Sequence, residues 1–308
     1  MHTQYFRISI TDKCNLKCYF CHKEGQDTSV PATLLDANDF VWASEMAIKV
    51  GFKKFKLTGG EPTLRKDLSL IIKGIKEKGA EDVSMITNGL RLDKCSQALF
   101  DAGLDRLNVS IYSFRKDVFK DYCKGREKDI ERLKMGIDVA MKCGFKKIKI
   151  NFILNNFDRV DEFEEVLSFA RDRDIRVLLL PRLPYNMRSN DYVYTYEELY
   201  SYVKHFGIRK EELITDSGGF SQKLLHLDNG ADVLLKHDTA SSKNIFKACS
   251  KCLRQDECLE GIFPLRLSAY GNLFPCLSKG TGEVMTYNCI KTRNEEQFIK
   301  AIKSVSLL

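Results

Sequence analysis

Residues 53–89, KKFKLTGGEPTLRKDLSLIIKGIKEKGAEDVSMITNG, decide the fold. Residues 53–58 form a short apolar and lysine run that predicts a strand. Residues 67–79 carry apolar side chains at helical spacing (Leu68, Ile71, Ile72, Ile75), which predicts a helix with one buried face. Residues 82–87 predict a second strand. A strand, a helix-length segment and another strand make a crossover unit, and crossovers are how strands pair in parallel.

Working outward, further strands are expected at 5–10, 106–112, 146–153 and 175–180, with helical segments at about 36–50, 93–103, 127–143 and 160–172. Six strands alternating with helices imply an α/β fold, either a parallel sheet or an open barrel. After Pro181 and Pro184 the pattern gives way to polar, tyrosine-rich sequence. A boundary is therefore expected within 185–245. Residues 246–308 carry a second group of cysteines, a strand pair LRLSAY and LFPCLS around Gly271-Asn272 that predicts a hairpin, and a closing helix from about 294. The expected division is 1–185, a connecting region 186–245, and 246–308.

The chain has 308 residues, 44% apolar and 30% charged, a globular balance. No stretch approaches the roughly 20 apolar residues of a membrane span. The opening MHTQYFRISI lacks the parts of a signal peptide, so a cytoplasmic location is expected. There, clustered cysteines point to metal rather than disulfides. Seven of the 11 cysteines fall in two clusters, whereas Cys95, Cys123, Cys143 and Cys289 stand apart and are expected to be small buried hydrophobes. The net charge of +7 is spread along the chain. That distribution suits a solvated surface and is compatible with a small anionic substrate, with no membrane or nucleic-acid partner expected.

Cys14, Cys18 and Cys21 follow the first strand, where a loop at the sheet's carboxyl edge can wrap a ligand. Three thiolates can bind three irons of a cubane and leave the fourth open, or they can join His22 or a distant residue around zinc. Spacing alone leaves both open. The second cluster, Cys249, Cys252, Cys258 and Cys276, supplies four thiolates for zinc or for a second cubane.

RISITDKCNLKCYFC (7–21) resembles the start of the radical S-adenosylmethionine (SAM) superfamily, with Phe20 as the aromatic residue before the third cysteine, and Gly59-Gly60-Glu61-Pro62 resembles that family's GGEP motif. The resemblance implies a partial (β/α)6 TIM-type barrel with a [4Fe–4S] cluster on Cys14, Cys18 and Cys21. It further implies SAM held by Phe20, Gly59, Gly60, Glu61, Thr87, Asn88, Ser110 and Asn151. The implied chemistry is reductive cleavage of SAM to a 5′-deoxyadenosyl radical that takes hydrogen from a substrate. An external donor such as flavodoxin or ferredoxin would supply the electron, and no general acid or base is assigned.

CLEGIFPLRLSAYGNLFPCL (258–277) resembles the C-terminal extensions called SPASM and twitch, because Gly271 stands five positions before Cys276. This implies a small auxiliary domain with a second [4Fe–4S] cluster. Whether Cys249 ligates it or an iron is left for substrate stays open. Within the superfamily the chain most resembles the MoaA-like GTP 3′,8-cyclase group, on the motifs above together with TNG, RLNVSIYS and KIKIN. By that resemblance Arg7, Lys54, Lys149 and Arg266 would lie near a nucleotide.

Three features depart from the group. The chain ends IKSVSLL without a double glycine, Pro264-Leu265-Arg266 replaces an RLR hairpin, and an extra CxxxxxC element adds a fourth cysteine. The resemblance therefore implies the scaffold and leaves the substrate open among nucleotides, nucleosides and sugars. Two alternatives stand beside it. One is a SPASM-type peptide-modifying enzyme, disfavoured because no leader-binding domain precedes the first strand. The other is a non-catalytic metal-binding module, disfavoured by GGEP directly after a strand.

Overall fold

The structure, a computed structural model, describes residues 5–24, 33–154, 160–183, 188, 191–215, 221–236, 264–276 and 282–305. The first half alternates: β1 (Tyr5–Ser9), α1 (Ala37–Lys49), β2 (Lys54–Thr58), α2 (Leu68–Glu77), β3 (Asp82–Thr87), α3 (Leu92–Asp101), β4 (Arg106–Ser110), α4 (Lys116–Cys123), α5 (Glu127–Lys142), β5 (Ile148–Leu154), α6 (Val160–Arg171) and β6 (Arg176–Pro181). The predicted strands and helices are all present to within two residues or so. α4 was not anticipated, since it is short and its apolar residues do not extend over enough turns to register as a period.

β1 to β6 pair in sequence order and in parallel. This is the α/β arrangement expected from the crossover units. The helices form on their apolar faces. In α2, Leu68, Ile71, Ile72 and Ile75 are buried. The start of α1 is closed by a capping box, in which Asp36 and Asp39 each accept from the other's backbone N–H at 3.0 Å.

Beyond β6 the chain continues through α7 (Tyr196–Lys204) into β7 (Ile208–Thr215), β8 (Ser221–Leu227) and β9 (Asp232–Lys236). These three strands form an antiparallel run that joins the sheet by pairing β9 with β6 in parallel. The stretch that seemed irregular in sequence thus extends the sheet at one edge. At the other edge lie β10 (Leu265–Leu267), β11 (Asn272–Phe274) and β12 (Val284–Met285), followed by α8 (Tyr287–Lys291) and α9 (Glu295–Val305). β10 and β11 form the hairpin expected around Gly271-Asn272, and β10 also pairs in parallel with β1. Among the described residues, no helix is long and apolar enough to cross a membrane.

Candidate active site

Strand alternation builds the site. Even-numbered positions of β2, β3 and β4, and odd-numbered positions of β1 and β5, turn to one face of the sheet, where a cavity of about 360 Å³ opens. Residues from all six parallel strands line this one cavity, so the sheet curls around it. Register places Arg7, Lys56, Ser84 and Arg106 in one row across β1 to β4, and sets Asn108 beside Lys149 and Ser110 beside Asn151. Leu57 and Val83 point the other way and are fully buried.

The cysteine loop sits over the strands' carboxyl ends. Cys14, Cys18 and Cys21 all line the cavity, with Cys14 exposed and the other two half-buried. Backbone N–H groups of Leu16 and Lys23 donate to the Cys14 and Cys21 sulfurs, each at 3.4 Å. Burial pushes the Cys14 thiol up to about 11, and raises the Cys21 thiol too. As free thiols they hold their protons at neutral pH, and a bound metal must displace those protons.

The glycines explain why the loop lies where it does. A Cβ on Gly59 would stand 2.3 Å from the Thr11 carbonyl oxygen, and one on Gly60 would stand 2.2 Å from that of Lys13. Without side chains the β2 end docks on the root of the cysteine loop, where Gly60 N–H donates to Thr11 O at 2.8 Å and Glu61 N–H to Lys13 O at 2.7 Å. The close approach these glycines permit is between two segments of the chain itself.

Glu61 is buried and joins three strand ends. Its carboxylate accepts from Thr63 N–H (3.1 Å), Thr63 O–H (2.5 Å), Thr87 O–H (2.7 Å) and Asn88 N–H (2.7 Å). Burial raises its pKa against the pull of these donors. Asn88 extends the chain of contacts by donating from Nδ2 to Asn15 Oδ1 at 2.8 Å, inside the cysteine loop. Glu61→Gln turns one acceptor oxygen into a donor facing other donors. It is expected to cost about 2 kcal/mol of stability, read as a lower denaturant midpoint at unchanged slope.

The other expected cofactor residues share the cavity. Phe20 packs against Tyr112 with ring centroids 4.5 Å apart, and Ser110 and Asn151 lie on the wall. Asn151 Oδ1 is buried with no hydrogen-bond partner among the described residues. A buried acceptor on a cavity wall calls for a donor from a ligand. Three thiols on one loop, docked by glycine contacts above such an orphaned acceptor, fit an iron–sulfur cluster with a polar organic molecule beside it. Among the described residues no three His, Cys, Asp or Glu side chains group as ligands of one metal ion.

Of the four cations expected near substrate, Arg7, Lys54 and Lys149 line the cavity. Arg266 does not. It is buried behind the wall, donating to Glu24 at 2.9 Å and to the Pro275 carbonyl at 2.8 Å. The sequence reading missed Lys56, Arg106, Arg182 and Lys236, which also line the cavity. Polar residues at alternate positions of otherwise buried strands, Lys54-x-Lys56 and Arg106-x-Asn108-x-Ser110, were the available signal. Cys123, read as a buried hydrophobe, is fully buried at the end of α4. Contact with Cys18, together with burial, pushes its thiol far up, so it packs on the cysteine loop as a protonated neighbour. Cys249, Cys252 and Cys258 lie outside the described residues. Cys276 is half-buried two residues beyond β11.

A model of the radical SAM superfamily matches residues 8–170, more than half of the chain. Among curated relatives, a probable GTP 3′,8-cyclase of Sulfurisphaera tokodaii is 33% identical, covering 90% of this chain and 82% of that protein. The GTP 3′,8-cyclase of Limosilactobacillus fermentum is also 33% identical, covering 89% and 79%. Among solved structures, Streptococcus suis SuiB bound to S-adenosylmethionine aligns with a TM-score of 0.65 at 14% identity, over 98% of this chain and 68% of that one. Native anSMEcpe with bound AdoMet aligns at 0.57 and 14%, over 96% and 83%. At such identities the structural likeness concerns the fold.

Proposed function

The chain belongs to the radical SAM superfamily, and from that premise we propose that it acts on a nucleoside triphosphate, with GTP the first substrate to test. The observation that carries this reading is the row of cations inside the cavity. Arg7, Lys54, Lys56, Arg106 and Lys149 line the same cavity as the residues assigned to the cofactor. Anionic phosphates held there would bring the sugar and base toward the cysteine loop. The relatives named GTP 3′,8-cyclase support a guanine nucleotide. The likeness to SuiB is one of fold and does not favour a peptide.

In this reading Cys14, Cys18 and Cys21 hold a [4Fe–4S] cluster, and Cys276 joins Cys249, Cys252 and Cys258 at a second one. When bound, the first cluster and SAM would supply one-electron radical chemistry, with the electron delivered by an external donor. The protein's own residues bind and orient. Glu61 locks the β2 and β3 ends beneath the loop, Asn151 offers its free acceptor, Phe20 and Tyr112 form an apolar wall, and the cations fix the phosphates.

The test is isotopic. Reduced, anaerobically reconstituted protein is given SAM and GTP deuterated on the ribose. 5′-Deoxyadenosine is expected to gain deuterium, as read by mass spectrometry. Abundant 5′-deoxyadenosine with no deuterium from any ribose position would refute the nucleotide reading.

A further inference from the structure

Glu24 stands three residues after Cys21, at the end of the described cysteine loop. Its carboxylate lies in the cavity wall between two guanidinium groups. Arg7 donates to Oε2 from β1, and Arg266 Nε donates to Oε1 at 2.9 Å from β10. His22 Nε2 is 3.6 Å from Oε2. β1 and β10 are paired so that Arg7 and Arg266 stand opposite each other. Like charges facing across neighbouring strands repel, and a carboxylate between them offsets that repulsion. The Glu24 and Arg266 side chains are only 3% and 1% exposed, so the pairing occurs with little water to screen it. Arg7 is the member of the trio that is both a cation and part of the cavity lining.

We propose that Glu24 is an internal counter-ion that sets a charge threshold on the cavity, holding Arg7 against weak anions and yielding it to a polyphosphate. This rests on the nucleotide reading and deepens it. The step exchanges ion pairs and makes or breaks no covalent bond. A singly charged anion offers Arg7 no more than Glu24 already does, and it must approach against the charge of Glu24. A phosphate chain brings more charge and more acceptor oxygens, and Lys54, Lys56 and Lys149 line the same cavity. Ligand charge then decides what displaces the carboxylate. Glu24 is thus a specificity-determining residue, because it excludes small anions that the bare cations would admit.

The experiment titrates the reconstituted full chain, wild type and Glu24→Gln, with inorganic tripolyphosphate and separately with formate. Removing the competing carboxylate is expected to tighten tripolyphosphate binding roughly tenfold and to admit formate where wild type does not. If the variant is less stable, thermal unfolding gives the same answer, since tripolyphosphate should raise its midpoint more than that of wild type. Adding Arg7→Gln to Glu24→Gln should remove the gain. Equal or weaker tripolyphosphate binding by Glu24→Gln, with wild type still binding, would overturn the counter-ion role and leave the nucleotide reading standing. So would a variant that tripolyphosphate cannot restore to a folded state. If neither tripolyphosphate nor GTP binds wild type, both readings fall.

Discussion

Replacing Cys14, Cys18 and Cys21 together by alanine is expected to bring 5′-deoxyadenosine formation down to background, a loss of at least about a thousandfold, because the cofactor carries the difficult chemistry. The loop itself should survive the change. Its anchors are backbone groups: Gly60 N–H on Thr11, Glu61 N–H on Lys13, Lys17 N–H on Cys123 and Tyr19 N–H on Tyr122. The Cys14 and Cys21 sulfurs accept local N–H bonds from Leu16 and Lys23. An unchanged thermal midpoint of the unreconstituted chain checks that the fold is retained. Iron should fall from about eight to about four atoms per chain, the remainder belonging to a second cubane. Cleavage that persists would remove these cysteines from the cluster. Loss of all iron would instead remove the second one.

Gly60→Ala is expected to damage the fold with a single methyl group. The added Cβ would meet Lys13 O at 2.2 Å, Lys13 C at 2.6 Å and Asp12 O at 2.8 Å, all backbone atoms that no rotamer change can move aside. To relieve the clash, the β2 end must separate from the cysteine loop and surrender its two docking hydrogen bonds. The expected cost is about 3 kcal/mol or more, combining overpacking with lost buried bonds. It should appear as a lower denaturant midpoint and as reduced iron uptake, since the loop that holds the thiols is displaced. Gly79→Ala is the control. Its φ of +101° strains any side chain, yet its Cβ would meet nothing within 4 Å, so only about 1 kcal/mol is expected. Gly60 does not share that left-handed backbone, so equal losses at the two positions would show that the close approach at Gly60 is relieved at little cost.

Much of the fold was legible because its signals are local. Alternation of short apolar runs with helix-length amphipathic segments requires nothing beyond neighbours in sequence, and it yields six parallel strands in order. The cysteine loop and the Gly-Gly-Glu-Pro turn were equally legible, each lying directly after a strand where parallel sheets present their ligands. The region after Pro184 was not. β7 to β9 are strands whose partners are one another and β6, and the mixed charges of β7 hide a period that only pairing reveals.

The candidate site divides along the same line. Sequence placed Cys14, Cys18, Cys21, Glu61 and Thr87 near strand ends and Asn151 on the fifth strand, and the cavity gathers them. Arg7 and Arg266, 259 positions apart, read from sequence as two cations with one purpose. Pairing β1 with β10 sets them face to face, and Glu24 comes between them. By itself the sequence determined the class of fold, the cysteine loop and the family, because periodicity and short motifs are properties of contiguous residues. Which cations face the cavity, which lie sealed behind it, and what Gly59 and Gly60 touch were decided by the tertiary structure. Those are contacts between distant segments, set by strand register and close packing, and no local pattern encodes them.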